Sequence, residues 1–422
     1  MDSAVFSPAD QLIFNGSDPT AFSVVACDQY TSEPEYWEDT ARLAAGKPSA
    51  LHLIFPEVYL KSPDFENRVS TVNQNMEDAL KQGIFTEYPD ALIYLERTLR
   101  SGKIRRGLIG KIDLEAYDFS PGSQSPVRAT EGTVLERIPP RVRIREQAPL
   151  ELPHIMLLMD DRRREVLEPL AESKSRLQKL YGFPLMMGSG RLDGWLLGEE
   201  ETARILALLK KMASHAEFDE KYGIPGKSPL PFAVGDGNHS LASARQHYLN
   251  CKEKLGEEAA RRHPSRYALA ELVNLHDESL EFEPIHRILT GVSPERLLEE
   301  LNRAHPLSDT PIPSGQKLGI LQNGQLREVW MTQPSRNLPV GTLQEFLDGY
   351  LAQNPGEIDY IHGAEVTASL SRQEQSIGFL LDGMDKNDLF PTVILDGALP
   401  RKTFSMGEAW DKRFYWEARK IR

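Results

Sequence analysis

Cysteine is scarce: Cys27 and Cys251 are the only two in 422 residues. A disulfide framework needs more and a structural zinc site needs about four ligands, so neither is expected. Cys27 closes an apolar run and reads as a small buried residue. No stretch approaches the ~18 or more apolar residues of a membrane helix, so no membrane partner is expected. The start has an acidic Asp2 where a signal peptide would be basic and then apolar, which reads as cytoplasmic. Positive charge is also short. The 49 Lys and Arg face 62 Asp and Glu, for a formal net charge of −13, and such a balance opposes general affinity for nucleic acid.

Several catalytic signatures are missing. There is no Gly-x-Ser-x-Gly elbow and no His-Glu-x-x-His zinc pair, and the metal question stays open. Gly188-Ser189-Gly190-Arg191-Leu192-Asp193-Gly194 is glycine-rich. It fits neither the Gly-x-Gly-x-x-Gly nor the lysine-bearing phosphate loop, and reads as a hairpin.

Strand-like and helix-like segments interleave throughout, which points to an α/β or mixed α+β fold. Strands are expected at Ala21–Ala26, Leu51–Phe55, Ala91–Leu95, Gly107–Leu114, His154–Met159, Phe232–Val234, Tyr267–Leu275, Leu318–Leu321, Arg327–Met331, Ile377–Leu381 and Val393–Leu395. Helices are expected at Glu33–Ala45, Arg163–Leu180, Glu200–His215, Ser240–Leu255, Thr342–Ala352 and Ala364–Ser371. Another helix begins at Ser62-Pro63, where Phe65, Val69, Val72, Met76 and Leu80 form one apolar stripe ending at Gly83. Ser120–Pro126 is a turn-rich connection, and Pro139-Pro140 is expected to break regular structure. Arg137, Arg141, Arg143 and Arg145 read as a solvated or ion-paired edge strand, with an anion-reading cluster as the competing use. The composition shifts at Pro306–Gln316, which divides a main α/β region, 1–305, from a C-terminal α/β subdomain, 306–422.

The segment Phe232–Ser240 passes from an apolar strand through a polar turn into a helix. Gly235 and Gly237 permit backbone angles closed to other residues and let a ligand approach. The helix start turns free N–H groups and its positive dipole end toward Asp236, Asn238 and His239. Such a place suits a metal, a phosphate or a reacting hydroxyl. The plainer reading is a turn in which Asp236 makes a local bond and Ser240 caps the helix.

Asp236-Gly237-Asn238-His239-Ser240 resembles the Asp-Gly-His-His-Arg signature of domain-of-unknown-function family 1015 (DUF1015). Leu51-His52-Leu53 with Phe55-Pro56-Glu57, Arg106–Gly110 with Asp113, Glu131 with Thr133, Pro284–Arg287 and Leu399–Phe404 are similar to further family elements, in the same order. The resemblance implies a ParB/sulfiredoxin-like core, a fold shared with free-serine kinases, elaborated by mixed-sheet subdomains. It implies nucleotide-dependent phosphoryl transfer to a small hydroxyl metabolite such as serine, using ATP or ADP with Mg2+. A non-catalytic nucleotide- or metabolite-binding protein is the alternative, and a ParB-like nucleic-acid-associated protein ranks last. Homo-oligomerisation stays open.

Under that reading Asp236, His239 and Glu57 are the catalytic candidates. Gly235, Gly237, Asn238, Ser240, Arg287, Lys402 and Glu131 are the binding candidates. Asp28, behind the first apolar run, is a further candidate, although each lone carboxylate is as readily a capping or surface group. Two departures stand out: the family's second histidine is Asn238 and its arginine is Ser240. Serine lacks the charged fork of arginine, so phosphate-binding charge must come from elsewhere, with Arg287, Lys402 and the Arg141–Arg145 group as candidates.

Overall fold

The computed structural model describes residues 4–120 and 122–422; Asp2 and Pro121 lie outside the described residues. The chain forms two compact units. One takes the chain up to Leu280 together with Glu408–Arg422, and the other takes Glu281–Gly407. The division therefore differs from the expected one at 305/306. The strand Phe282–Thr290 hydrogen-bonds to Glu357–His362 and Ser376–Leu380, so its ladder partners hold it with the later sheet. The polar stretch at Pro306–Gln316 is a connection inside that second unit, leading from the helix Pro294–Ala304 into the strand Gln316–Gln322.

The first unit is mixed α/β. Its main sheet has ten strands, and its centre runs Ile104–Asp113, Tyr267–Asn274, Met156–Met159, Phe232–Asp236 and Val127–Ala129. Tyr267–Asn274 is buried at all but its first residue, and the one charge in it, Glu271, is met by Arg105 and Arg413. The motif strand Phe232–Asp236 lies parallel to Val127–Ala129 and antiparallel to Met156–Met159. The end of the first, the end of the second and the start of the third therefore meet on the same side, at the strand ends of the sheet. A four-stranded sheet joins Phe85–Ala91, Ala9–Phe14, Glu417–Lys420 and Leu150–Glu151, so residues beyond 407 return to close this unit.

The helix Phe65–Lys81 buries Val69, Val72 and Met76, as the stripe requires. The glycine-rich segment after Gly188 joins the antiparallel strands Gln178–Pro184 and Arg191–Leu196, the expected hairpin. Other expectations give way to local chemistry. Ala21–Ala26 is a short helix, Pro19–Phe22, started by the Asp18 side chain, followed by a single bridge from Val25 to Phe414. Leu51–Phe55 forms no strand among the described residues, with Leu53–Phe55 buried and His52 exposed; the Ser49 hydroxyl instead starts a helical turn at Ala50–His52. Arg163–Leu180 is helical only over Glu168–Ser173 and Lys174–Arg176 before its β-compatible end joins the hairpin. Val393–Leu395 belongs to the helix Lys386–Asp396.

Pro139 and Pro140 do not break the chain. They occupy the first turn of the helix Ile138–Arg145, where a missing N–H removes no helical bond. The arginine cluster is thus helical rather than an edge strand. Arg141, Arg143 and Arg145 pair with Glu57, Glu66 and Glu151.

In the second unit, a seven-stranded sheet contains Arg287, which is fully buried. Its guanidinium donates to Gln344 Oε1 at 3.2 Å and to the carbonyls of Ile285 and Arg401, and burial holds its pKa down to about 10. Lys402 is exposed in the same unit at a positive φ of 57°.

Candidate functional site

Gly237, at φ 78° and ψ 27°, turns the chain from motif strand to motif helix, Asn238–Leu255. Its positive φ favours glycine, and a Cβ there would crowd Ile155 Cα at 3.1 Å. No side chain caps this helix. Its first amides therefore keep the unpaired donors of any helix start. Asp236 makes the anticipated local bond, accepting from Gly237 N at 3.0 Å. Ser240 does not cap. Its hydroxyl lies 3.0 Å from His154 Nε2. Asn238 is buried, and its Oδ1 has no hydrogen-bond donor among the described residues.

His154 is the centre of the cluster. Entering the sheet beside the motif strand, it places Nδ1 2.7 Å from the Tyr415 hydroxyl and Nε2 3.5 Å from Asp28 Oδ2. Burial opposes its charge. The Asp28 carboxylate, Cys27 and Asp236 together outweigh that effect, and the imidazole pKa rises to about 10. Asp28 responds in the opposite sense: burial pushes its pKa up, but His154, a bond from Gln29 and nearby Lys412 bring it below the usual value. At neutral pH this is an imidazolium–carboxylate pair whose two N–H groups donate to Tyr415 and toward Ser240 and Asp28. The Tyr415 oxygen also accepts from Cys27 N at 3.0 Å.

Two further pairs complete the site. Lys412 Nζ lies 3.3 Å from Asp236 Oδ2. Arg141 grips both oxygens of Glu57, Nε donating to Oε1 at 2.7 Å and Nη2 to Oε2. Burial, with Asp28 nearby, raises the Glu57 pKa against the pull of Arg141. His239 has the opposite environment from His154. Burial, then Arg141 and Arg137, lower its pKa to about 4, and its neutral Nε2 accepts from Val134 N at 3.3 Å.

Glu57, Arg141, His154, Ser240 and Tyr415 line one cleft of about 140 Å³ with apolar Leu53, Ile54, Phe55 and Met76. None of Asp28, Asp236, His239 and Lys412 lines it: Asp28 touches His154, Asp236 and Lys412 act on that pair through their charge, and His239 feels the charge of Arg141. Three carboxylates thus face three cations, Lys412, Arg141 and protonated His154. The candidates Asp236, His239, Glu57, Gly237, Asn238 and Ser240 are brought together. Gly235 sits one residue earlier, packed so that a Cβ would meet Leu158 at 2.7 Å. Glu131 is exposed just past the strand Val127–Ala129, whose neighbour Thr130 donates to Val234 O at 2.6 Å. Arg287 and Lys402 belong to the second unit.

Sequence reasoning passed over His154, Lys412 and Tyr415. In the sequence His154 carries only the pattern of a strand's first residue. The other two belong to Glu408–Arg422, which reaches the site through backbone bonds of Arg413 O to Ala26 N and Tyr415 N to Val24 O, at 2.9 and 2.8 Å. The aromatic–charged run Lys412-Arg413-Phe414-Tyr415-Trp416 was the available signal. Among the described residues no three His, Cys, Asp or Glu are grouped to hold a metal ion. No helix among them is long and apolar enough to cross a membrane.

A family model described as a protein of unknown function (DUF1015) matches residues 7–381. The chain belongs to that family. No curated protein matches it. Among solved structures, it is similar to a free serine kinase variant in complex with AMP, at a TM-score of 0.39 and 9% identity, covering 76% of this chain and 93% of that one. The same variant with ADP gives 0.38 and 10%, with the same coverages. A conserved hypothetical protein from Pyrococcus furiosus gives 0.34 and 10%, covering 74% of this chain and 94% of that one. Scores this low carry no inference about the chemistry of this chain.

Proposed function

We propose that the first unit binds a small hydroxyl-bearing metabolite in the His154 cleft and transfers a phosphoryl group between it and a nucleotide, on a core of the ParB/sulfiredoxin-like kind. The observation that carries this reading is convergence. Charged groups from positions 28, 57, 141, 154, 236 and 412 meet beside an uncapped helix start. Phosphoryl transfer asks a protein mainly for position and for fixed charge around the moving group. Lys412 and Arg141 supply the cations that Ser240 lacks in place of the family's arginine. A cleft of about 140 Å³ falls below the 300–1,000 Å³ of drug-sized sites, so it suits a serine-sized compound and leaves the nucleotide outside it.

In this reading Asp236 orients the acceptor hydroxyl and takes its proton, with Lys412 beside it to steady the phosphoryl oxygens. The pair His154–Asp28 fixes Ser240 and the helix start. Glu57 aligns Arg141, and neutral His239 offers an acceptor to the segment at Val134. Mg2+ commonly takes one or two protein carboxylates and completes its shell with phosphate and water. Asp28 and Asp236, each about a quarter exposed, fit that modest demand and would hold it, where it would offset phosphate charge.

The test is a 31P NMR screen of ATP and ADP with Mg2+ against hydroxyl metabolites, L-serine included. A phosphorylated product that disappears in Asp236→Asn supports the reading. Absence of product with every acceptor, together with no nucleotide-induced thermal shift, overturns it. A thermal shift without turnover favours a binding protein instead, the reading to which Ser240 in place of arginine lends weight.

A further inference from the structure

More than half of the side chains lining the His154 cleft are apolar, Leu53, Met76, Ile144, Leu150, Leu152 and Ile155 among them. All six except Ile144 are buried, and Leu53, Met76, Leu150 and Leu152 belong to a hydrophobic core of the unit. Water held in such a space needs about two to four polar partners, which an apolar wall does not offer. An apolar body, by contrast, gains free energy by filling it. Cavities of about 150 Å³ walled by Leu, Ile and Phe take a body of benzene's size, and this cleft measures about 140 Å³.

The charged side chains of the lining are already engaged. Glu57 is gripped by Arg141, and Arg145 pairs with Glu151. Glu151 also accepts from Arg419 Nε and from Leu269 N, each at 2.8 Å, and His154 is matched by Asp28. An ammonium or carboxylate entering the cleft would lose its hydration and meet no unpaired counter-charge among the described lining residues, a costly burial. One hydroxyl is differently placed. His154 Nε2–H donates to Ser240 Oγ at 3.0 Å, so that oxygen accepts and its own proton is left to donate. Ser240 lines the cleft at the start of the motif helix, and among the described residues its hydroxyl bonds to His154 alone.

We infer that the metabolite taken by this cleft is an uncharged alcohol with a compact apolar body of about five or six carbons. Its hydroxyl oxygen accepts from Ser240, and its carbon skeleton seats on the apolar wall. Zwitterionic amino acids such as serine are poor occupants, with one methylene to bury and two charges to desolvate. An arginine at position 240, as in the family signature, would bring charge to the same wall; Ser240 brings a hydroxyl and suits a neutral guest. The inference rests on the phosphoryl-transfer reading only in making this alcohol the acceptor, and its occupancy of the cleft is measurable without nucleotide.

The experiment is a ligand-observed proton NMR titration of the full chain, without nucleotide, using isopentyl alcohol, isovalerate, isopentylammonium and L-serine. The first three share one branched skeleton and differ in charge. The alcohol is expected to bind most tightly, with each charged compound weaker by about tenfold or more. Ser240→Ala removes the donor and should weaken the alcohol by about fivefold. Ile144→Gln makes a half-buried wall residue polar at similar volume, and should weaken it by a comparable factor. No saturable binding of the alcohol, equal or tighter binding of any charged compound, or alcohol binding unchanged in either folded variant would each overturn the inference. Phosphorylation of L-serine by a chain that ignores the alcohol sinks this inference alone. An alcohol that binds most tightly and is never phosphorylated upholds the occupant and sinks only the transfer reading.

Discussion

The imidazole Nδ1 of His154 lies 2.7 Å from the hydroxyl of Tyr415, which joins the start of a central strand to a segment 261 positions further along the chain. The pair makes the protonation of His154 a property of the assembled unit, because Tyr415 holds one N–H while Asp28 and Ser240 hold the other.

His154 and His239 are therefore expected to titrate at opposite ends of the pH scale. In 15N-resolved imidazole spectra His154 stays charged through neutrality and loses its proton near pH 10, while His239 gains one only near pH 4. The stability consequences have opposite signs. The His154 contribution, with its folded pKa above the unfolded 6.5, is fully present below pH ~6.5 and is lost as pH rises through about 10. For His239 the neutral form is favoured on folding, so stability falls as pH drops from ~6.5 through about 4. His154→Gln is expected to cost roughly 2–3 kcal/mol at pH 6, less than for a fully buried pair because Asp28 is partly solvated, and much less at pH 10. Urea titrations at the two pH values measure it, and an equal loss at both would refute the assignment.

Arg413 is buried between Glu271, at 2.8 Å, and Glu417, and also donates to Pro153 O at 2.9 Å. Among the described residues, Arg413→Met leaves Glu271 with Arg105 alone and Glu417 with only the Tyr181 hydroxyl. It is expected to destabilise the chain by about 3–5 kcal/mol in denaturant unfolding. Arg413→Met combined with Glu417→Gln should recover part of that loss.

Lys412 is about one-sixth exposed and pairs with the similarly accessible Asp236. Lys412→Met is expected to leave the melting temperature within about 3 °C, as for a partly solvated ion pair. The same variant should lower kcat/KM for phosphoryl transfer by about 100-fold through lost transition-state charge. Unchanged kcat/KM would remove Lys412 from the machinery.

Gly237→Ala places a Cβ against Ile155 and forces a non-glycine residue into the left-handed region. The expected cost is about 1–2 kcal/mol, with the helix start displaced from the cleft. Calorimetric melting and ligand affinity should therefore fall together.

The motif strand, its turn and its helix were legible from sequence because local rules dictate them: an apolar run, two glycines, then helical periodicity. So were the Phe65–Lys81 stripe and the Gly188 hairpin. Leu51–Phe55 was not, because a mostly apolar stretch looks alike whether or not a neighbouring strand accepts its hydrogen bonds. The pairing of Arg141 with Glu57 and the charge on His154 come from contacts 84 and 126 positions apart, and no local pattern encodes them (141 − 57 and 154 − 28). Arg287 misled for a related reason. A Pro-Ile-His-Arg string looks the same whether its guanidinium faces a ligand or, as here, internal carbonyls.

The return of Glu408–Arg422 to the first unit has a consequence for biosynthesis. While the ribosome is still translating Glu281–Gly407, the earlier residues have neither the Arg413 counter-charge for Glu271 nor the strand that later pairs with Ala9–Phe14. Until the final segment emerges, Glu271 has Arg105, at 3.5 Å, as its counter-charge, and Ala9–Phe14 lacks Glu417–Lys420 as a strand partner; the last residues made complete both.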